Sequence, residues 1–271
     1  MTELLRALAA CCEAPSAAVA AALELPVPAA ADHAELFSLQ LYPYASVYAG
    51  AEGMLGGEAA DRVAGFWRAV GAVPPAEPDH LAALLGLYAA LAGEVGERAR
   101  HVRHALLWEH LLSWLPAWLA RAAEVAPGPY ARWASLLGDA LLAEAEELGP
   151  PAALPLHLRL APPSAGVGTL LAPVRGGVIL TRADLGRTAR ELGLGVRQGE
   201  RRRVLHALLA QDPAAVLDRL AGEAGRQAEI HRSLPSAWRP VTEHWASRAE
   251  ATAGELSRVA EEAKEMVFHA G

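Results

Sequence analysis

The amino-acid sequence predicts an all-α fold. Alanine and leucine, which favour helices, supply most of the 53% hydrophobic content, whereas aromatic residues make up only 6% of the 271 residues. Apolar residues recur at intervals of three and four along most of the chain, and no run shows the strict alternation of a strand. A helical bundle with a sizeable core is therefore expected.

Proline and glycine divide the first 75 residues into short helices. The opening segment, to about Ala31, is rich in alanine and interrupted by prolines, which predicts one or two short helices. Another helix should follow Asp32 and end near Pro43. Residues 54–70 have their apolar side chains on one face and predict a further helix, closed by Gly71.

Three apolar stripes predict the longer helices of the first half of the chain. The second stripe contains Pro116, so its helix is expected to kink or restart there. The stripes consist of Leu81, Leu84, Leu85, Tyr88 and Leu91; of Leu107, Leu111, Trp114, Leu115 and Trp118; and of Tyr130, Trp133, Leu137, Leu141 and Leu148.

A stretch rich in proline and glycine suggests a division of the chain. Residues 150–177 are predicted to be a linker between a helical domain over 1–149 and a helical C-terminal extension over 178–271. In the extension, Thr181 and Asp184 form a capping-box pattern, and helix resumes near Glu200. Residues 245–266 carry a seam of period 3.5, which suits packing against another helix of the chain or of a second copy in a homodimer.

The charges are unevenly distributed. Residues 1–150 contain 18 acidic side chains and eight arginines, so the first half should attract a basic partner, and the net charge of -7 argues against nucleic acid as the main partner. A compact basic cluster, Arg201–Arg203, nevertheless leaves open an alternative function, that of a helical DNA-binding transcription regulator. The longest uncharged runs are shorter than the ~20 residues that cross a bilayer, so no membrane span is expected.

Signatures of catalysis and of metal binding are missing. The sequence has no phosphate-binding or dinucleotide-binding glycine motif, no nucleophile elbow and no zinc-protease helix, so we predict a protein that is not an enzyme, with no catalytic residue, no cofactor and no metal. A metalloenzyme using His101, His104 and His110 is a third reading, which the interleaved arginines disfavour. The carboxylates within residues 144–147 are expected on a solvated face. The adjacent Cys11 and Cys12 exclude a disulfide framework and favour a reducing, cytoplasmic location.

Three short strings carry the most distinctive signal. They are Leu41-Tyr42-Pro43-Tyr44-Ala45-Ser46-Val47-Tyr48, then Glu77-Pro78-Asp79-His80-Leu81, and then Glu109-His110-Leu111-Leu112-Ser113-Trp114-Leu115-Pro116-Ala117-Trp118. In this order and spacing they resemble the TorD/DmsD/NarJ-type chaperones of molybdoenzyme maturation, over about residues 35–148. The chain departs from that pattern at Leu84 and Tyr88, where such proteins often carry Glu and Met, and in its last hundred or so residues.

The resemblance implies a TorD-like helical bundle and a chaperone function. Such a protein binds its client, which is the leader (the signal peptide) or the apo form of a molybdopterin-containing oxidoreductase subunit. It holds the client until the cofactor is inserted and, where the client is exported, until export by the twin-arginine route. A twin-arginine leader is cationic and then apolar, so its receptor needs carboxylates beside an apolar groove. The expected client-binding residues are Asp79, as acceptor for a leader arginine, and Glu77, His80, Tyr44, Ser46, Tyr48, His110 and Trp114.

Overall fold

The computed structural model describes the backbone of residues 1–164, 166–197 and 199–270, and side chains as far as residue 266. In these ranges the chain is 72% helical and has no strand, which confirms the all-α prediction. The α-helices are α1 (Thr2–Glu13), α2 (Ala17–Ala22), α3 (Ala30–His33), α4 (Ala45–Ala49), α5 (Gly57–Ala69), α6 (Leu81–Ala92), α7 (Glu97–Ala105), α8 (Leu115–Val125), α9 (Gly128–Leu148), α10 (Leu156–Leu160), α11 (Pro173–Gly176), α12 (Arg182–Glu191), α13 (Arg201–Leu209), α14 (Pro213–Ser233) and α15 (Arg239–Ala270).

The helices α1, α6, α8 and α9 surround the main apolar core. Each of the three predicted stripes is buried there, together with a cluster of aromatic rings. In that cluster Phe37 packs edge-on against Tyr130 and Trp133, and its ring is stacked 6.2 Å from Trp118. Large rings that interlock in this way fix the relative positions of the helices.

Two helices of the first half differ from the predicted α form. The helix expected after Asp32 begins as α3 and continues as a π-helical segment, Ala34–Gln40. A second π-helical segment, Leu106–Leu111, precedes a break, and α8 then restarts with Pro116 in its first turn. The predicted restart is thus confirmed. Proline is suited to the first turn of a helix because its missing N–H is not needed there.

The stretch predicted to be a linker contains ordered helical segments. Apart from residue 165, which is outside the described residues, 150–177 include α10, a 3₁₀ turn and α11. Leu158 and Val174 are buried in the main core, and the Glu109 carboxylate accepts a hydrogen bond from Leu156 N–H at 2.7 Å. The segment is thus packed against the first half of the chain, and the domain boundaries themselves stay a prediction.

The C-terminal extension packs on the first half through polar contacts as well. The capping box predicted for Thr181 and Asp184 is present at the start of α12. The Asp184 carboxylate also accepts two hydrogen bonds of 2.7 Å from Arg121 of α8, and both side chains are buried. Farther along, the Trp245 indole N–H donates to the carbonyl of Ser113.

The predicted seam of period 3.5 lies on α15 and packs within the chain. Trp245, Ala249, Thr252 and Leu256 are buried, and α15 runs along α14. This arrangement gives the seam a partner without a second copy as far as Ala263, whereas Met266, its last residue, is 67% exposed. A homodimer remains a prediction.

One expectation about surface charge is wrong. Glu144, expected on a solvated face, is buried, where its carboxylate accepts a hydrogen bond from the Tyr88 hydroxyl and lies 3.5 Å from the Arg103 guanidinium. Its position, three residues after Leu141 and four before Leu148, puts it on the apolar stripe of α9, so the spacing itself indicated burial. Only its partners could not be predicted, because both belong to other helices. Burial of a carboxylate is tolerated only when such partners are present.

Candidate functional site

A groove of about 960 Å³ lies where the predicted strings Leu41–Tyr48 and Glu77–Leu81 meet α1 and α6. One wall is formed by the end of α1 and the first π-helical segment, and the other by residues 75–77. The lining residues are Cys12, Glu13, His33, Phe37, Ser38, Tyr42, Pro43, Tyr44, Trp67, Pro75, Ala76, Glu77, His80, Ala82, Ala83, Gly86 and Leu87.

The floor of the groove is a strip of small residues on α6. Most of this helix is buried in the core, and Ala83 and Gly86, three residues apart, are among the few positions that reach the surface. A Cβ added at Gly86 would meet no atom within 4 Å, so the groove is open above it. A flat, apolar floor accepts apolar side chains of varied shape. This strip was missed in the sequence, although small residues on one face of an otherwise apolar helix were a usable signal.

The rim is built by backbone bonds between two of the predicted strings. Tyr44 and His80 form an isolated antiparallel bridge, in which Ala45 N–H donates to the Asp79 carbonyl at 3.0 Å. Beside it, Leu81 N–H donates to the Pro43 carbonyl at 2.7 Å. The bridge brings the rings of Tyr44 and His80 edge-on to one another at 4.8 Å.

His80 is also the N-cap of α6. Its Nδ1 accepts a hydrogen bond from Ala82 N–H at 3.1 Å, so a proton on a neutral ring must reside on Nε2. Burial lowers the pKa of His80, although the carboxylates of Glu77 and Glu13 act in the opposite direction. The ring is therefore neutral at pH 7 and offers one N–H donor.

Asp79 has a structural position behind the rim. Its side chain is 4% exposed, and its Oδ2 accepts a hydrogen bond of 3.0 Å from the backbone N–H of Ser46, in the first turn of α4. It does not line the groove. Glu77, two residues earlier and exposed, presents its carboxylate to the groove instead.

Four other predicted site residues are core residues. Tyr48 and Trp114 are fully buried and stack at 5.2 Å, and Ser46 accepts a hydrogen bond from Gly56 N–H at 3.1 Å. His110 is buried against Phe66. Of the eight predicted site residues, the structure thus brings three to the groove, namely Tyr44, Glu77 and His80.

The electrostatic character of the groove is acidic. Glu13 and Glu77 are exposed carboxylates, and no arginine or lysine is found among the described residues that line it. Burial, together with the neighbouring Glu77, raises the pKa of Tyr44 to about 12. Carboxylates beside an apolar floor are complementary to a chain that carries arginine next to apolar residues.

The alternative sites have less support from the geometry. Within the described ranges no three metal-ligating side chains cluster, and His101 and His104 contact separate backbone carbonyls, of Glu97 and Pro150. Residues 192–200 separate α12 from α13, a longer connection than the roughly three to four residues of a helix-turn-helix. No helix in the described part of the chain has the length and apolarity needed to span a bilayer.

Comparison with known proteins gives one match. No curated protein and no solved structure is significantly similar to this chain. The family model described as nitrate reductase delta subunit matches residues 1–120, which contain the groove and all eight predicted site residues. The match starts and ends earlier than the stretch of 35–148 that the sequence motifs had suggested. It confirms, for residues 1–120, the resemblance to the NarJ/TorD-type chaperones, a family that matures molybdoenzymes.

Proposed function

We propose that this protein is a cytoplasmic chaperone, and not an enzyme, that binds the leader or the apo form of a molybdopterin-containing oxidoreductase subunit. It would hold that client for cofactor insertion and, where the client is exported, for the twin-arginine route. The observation that carries the proposal is the acidic groove with an apolar floor, which lies within the residues that match the chaperone family.

The groove suits the two chemical parts of such a leader. Guanidinium groups pair with the exposed carboxylates of Glu13 and Glu77, where the partly apolar surroundings strengthen the attraction. The apolar run that follows lies on Ala83, Gly86 and Leu87 of α6 and removes its surface from water. Tyr44 and His80 donate hydrogen bonds at the rim, to carbonyl groups of the extended leader.

In this proposal Asp79 supports the site instead of contacting the client. Its bond to Ser46 N–H holds α4 against the start of α6, and thereby holds the bridge that carries Tyr44 and His80. An Asp79→Ala change would weaken binding through the shape of the rim. A change at Glu77 would remove a direct contact.

Calorimetric titration of a synthetic twin-arginine leader peptide tests the proposal. Glu77→Gln should weaken binding about tenfold, the typical value of one charge-assisted contact, and the double change with Glu13→Gln should weaken it further. Gly86→Leu should abolish binding, because its side chain fills the space above the floor, which is empty now.

Two matched controls separate binding from folding. Glu229→Gln removes an exposed carboxylate of α14, outside the groove, and Gly254→Leu adds the same side chain to an open position on α15. Both should bind the peptide as the unmodified protein does. If the Gly86→Leu variant binds the peptide as tightly as the unmodified protein does, and its circular dichroism is unchanged, the groove is not the binding site.

A further inference from the structure

A second cavity, of about 750 Å³, adjoins the acidic groove. Ser38 and Tyr42 line both cavities, so the two form one continuous surface across the first π-helical segment. The second cavity is bounded on one side by residues 52–55 and on the other by the starts of α12 and α13. The C-terminal extension therefore supplies one wall of a surface that begins in the groove.

One wall of the second cavity exposes aliphatic side chains. Met54 is 62% exposed and Leu55 56% exposed, and Leu39 is beside them in the cavity. The loop that carries them passes close to the backbone of Leu171 at Gly53, whose φ of +63° favours glycine and where a Cβ would collide with the Leu171 carbonyl. A loop that presents two large apolar side chains to water beside a cavity is typical of an interaction surface.

The opposite wall carries three arginines and is fixed to the first half of the chain. Gln40 accepts a hydrogen bond from Ala183 N–H at 3.0 Å, and the Arg201 guanidinium lies 5.5 Å from the centre of the Tyr42 ring. Arg182 donates to the Gly199 carbonyl. Arg202 is exposed to the cavity and forms no ion pair within the described part of the chain.

We propose that this second surface binds a further segment of the same client chain, in which apolar side chains are followed by acidic ones. The apolar side chains would cover Leu39, Met54 and Leu55, and a carboxylate would pair with Arg202. The inference rests on the proposed function and extends it, because it gives the C-terminal extension a direct part in client binding.

A polypeptide fits this surface better than a nucleic acid does. The exposed side chains are aliphatic, whereas bases stack on aromatic rings. Glu52 and Glu200 also line the cavity, and their charges would repel a phosphate backbone, while a single carboxylate can approach Arg202 alone.

The test uses two synthetic peptides on the full-length protein. Both carry an arginine pair and an apolar run long enough to cover the α6 floor and then the second surface; after the run, one has two glutamates and the other two glutamines. The glutamate peptide should bind more tightly, and Arg202→Glu should weaken it about tenfold while leaving the glutamine peptide within about twofold. Arg203→Glu, an exposed neighbour outside the cavity, is the matched control and should change neither affinity.

A further variant tests the apolar wall. Met54→Ser combined with Leu55→Ser should weaken both peptides, whereas Val95→Ser, at a fully exposed position elsewhere, should weaken neither. If the protein binds both peptides equally and Arg202→Glu has no effect, the second surface is refuted and the acidic groove still stands. If the protein binds neither peptide, the proposed function fails and this inference fails with it.

Discussion

Replacement of Arg121 by methionine should destabilise the protein strongly. Arg121 is 1% exposed and pairs through two hydrogen bonds of 2.7 Å with Asp184, which is equally buried. It also pairs with Glu124 and lies 3.5 Å from Glu223. Methionine fills a similar volume but leaves these carboxylates without their shared cation.

The size of the effect follows from what remains around Asp184. Removal of one partner of a buried ion pair costs about 3–5 kcal/mol, because the other charge stays buried. Here Arg187 and the Thr181 cap still contact the Asp184 carboxylate, which places the loss near the lower limit, at about 3 kcal/mol. For a chain of this length, that loss corresponds to a fall in melting temperature of roughly 6–12 °C.

Urea unfolding followed by circular dichroism measures this loss. Asp184→Asn should cost less in the Arg121→Met protein than in the unmodified protein, because the contact with Arg121 is already lost there. The control Arg6→Met, which breaks the exposed Arg6–Glu3 pair, should change stability by less than about 1 kcal/mol. A loss below about 1 kcal/mol for Arg121→Met would refute the view that a buried ion pair joins α8 to the C-terminal extension.

Three other measurements test the packing. Burial lowers the pKa of His110 to about 4, of His157 to about 3 and of His231 to about 4. Below pH 6.5 the unfolded chain therefore binds more protons than the folded chain does. The free energy of unfolding should fall from pH 6.5 towards pH 4, by as much as about 1.4 kcal/mol per pH unit for each histidine. Urea unfolding at several pH values should show this slope, and His157→Gln should reduce it. Gly177→Ala should lower the melting temperature far more than Gly193→Ala, since both glycines have a φ of +66° but only at Gly177 would a Cβ collide with the backbone of α15. His80→Ala should cost about 1 kcal/mol in thermal unfolding through the lost cap of α6, a result that unchanged stability would contradict.

The fold class and most helices could be predicted from the sequence because their determinants are local. The stripe from Leu81 to Leu91 shares one face of a helix, and the capping box of Thr181 involves residues three apart. The restart at Pro116 follows from the geometry of one ring. The π-helical segments were not predictable in the same way, because runs of seven and six residues are too short for the spacing of their apolar residues to reveal a wider turn.

The candidate site was predictable only in part. The motifs located the groove, since Tyr44, Glu77 and His80 line it, but they could not separate surface residues from core residues. Asp79 and Trp114 look like polar or amphipathic contact residues in the sequence, and the structure uses the first to bond the backbone of α4 and the second to fill the core. Whether a side chain is buried depends on which helices cover it, and that information is not contained in its own segment.

Composition, periodicity and capping act over a few residues, and they were enough to predict the helical character, the acidic first half and the strings that resemble a chaperone family. Three features became evident only in the folded chain: Glu13 and Glu77 line one groove, Arg121 meets Asp184, and the C-terminal extension borders the adjoining cavity. These pairs are separated by tens of residues, and their contacts form only when helix faces distant in sequence exclude water together.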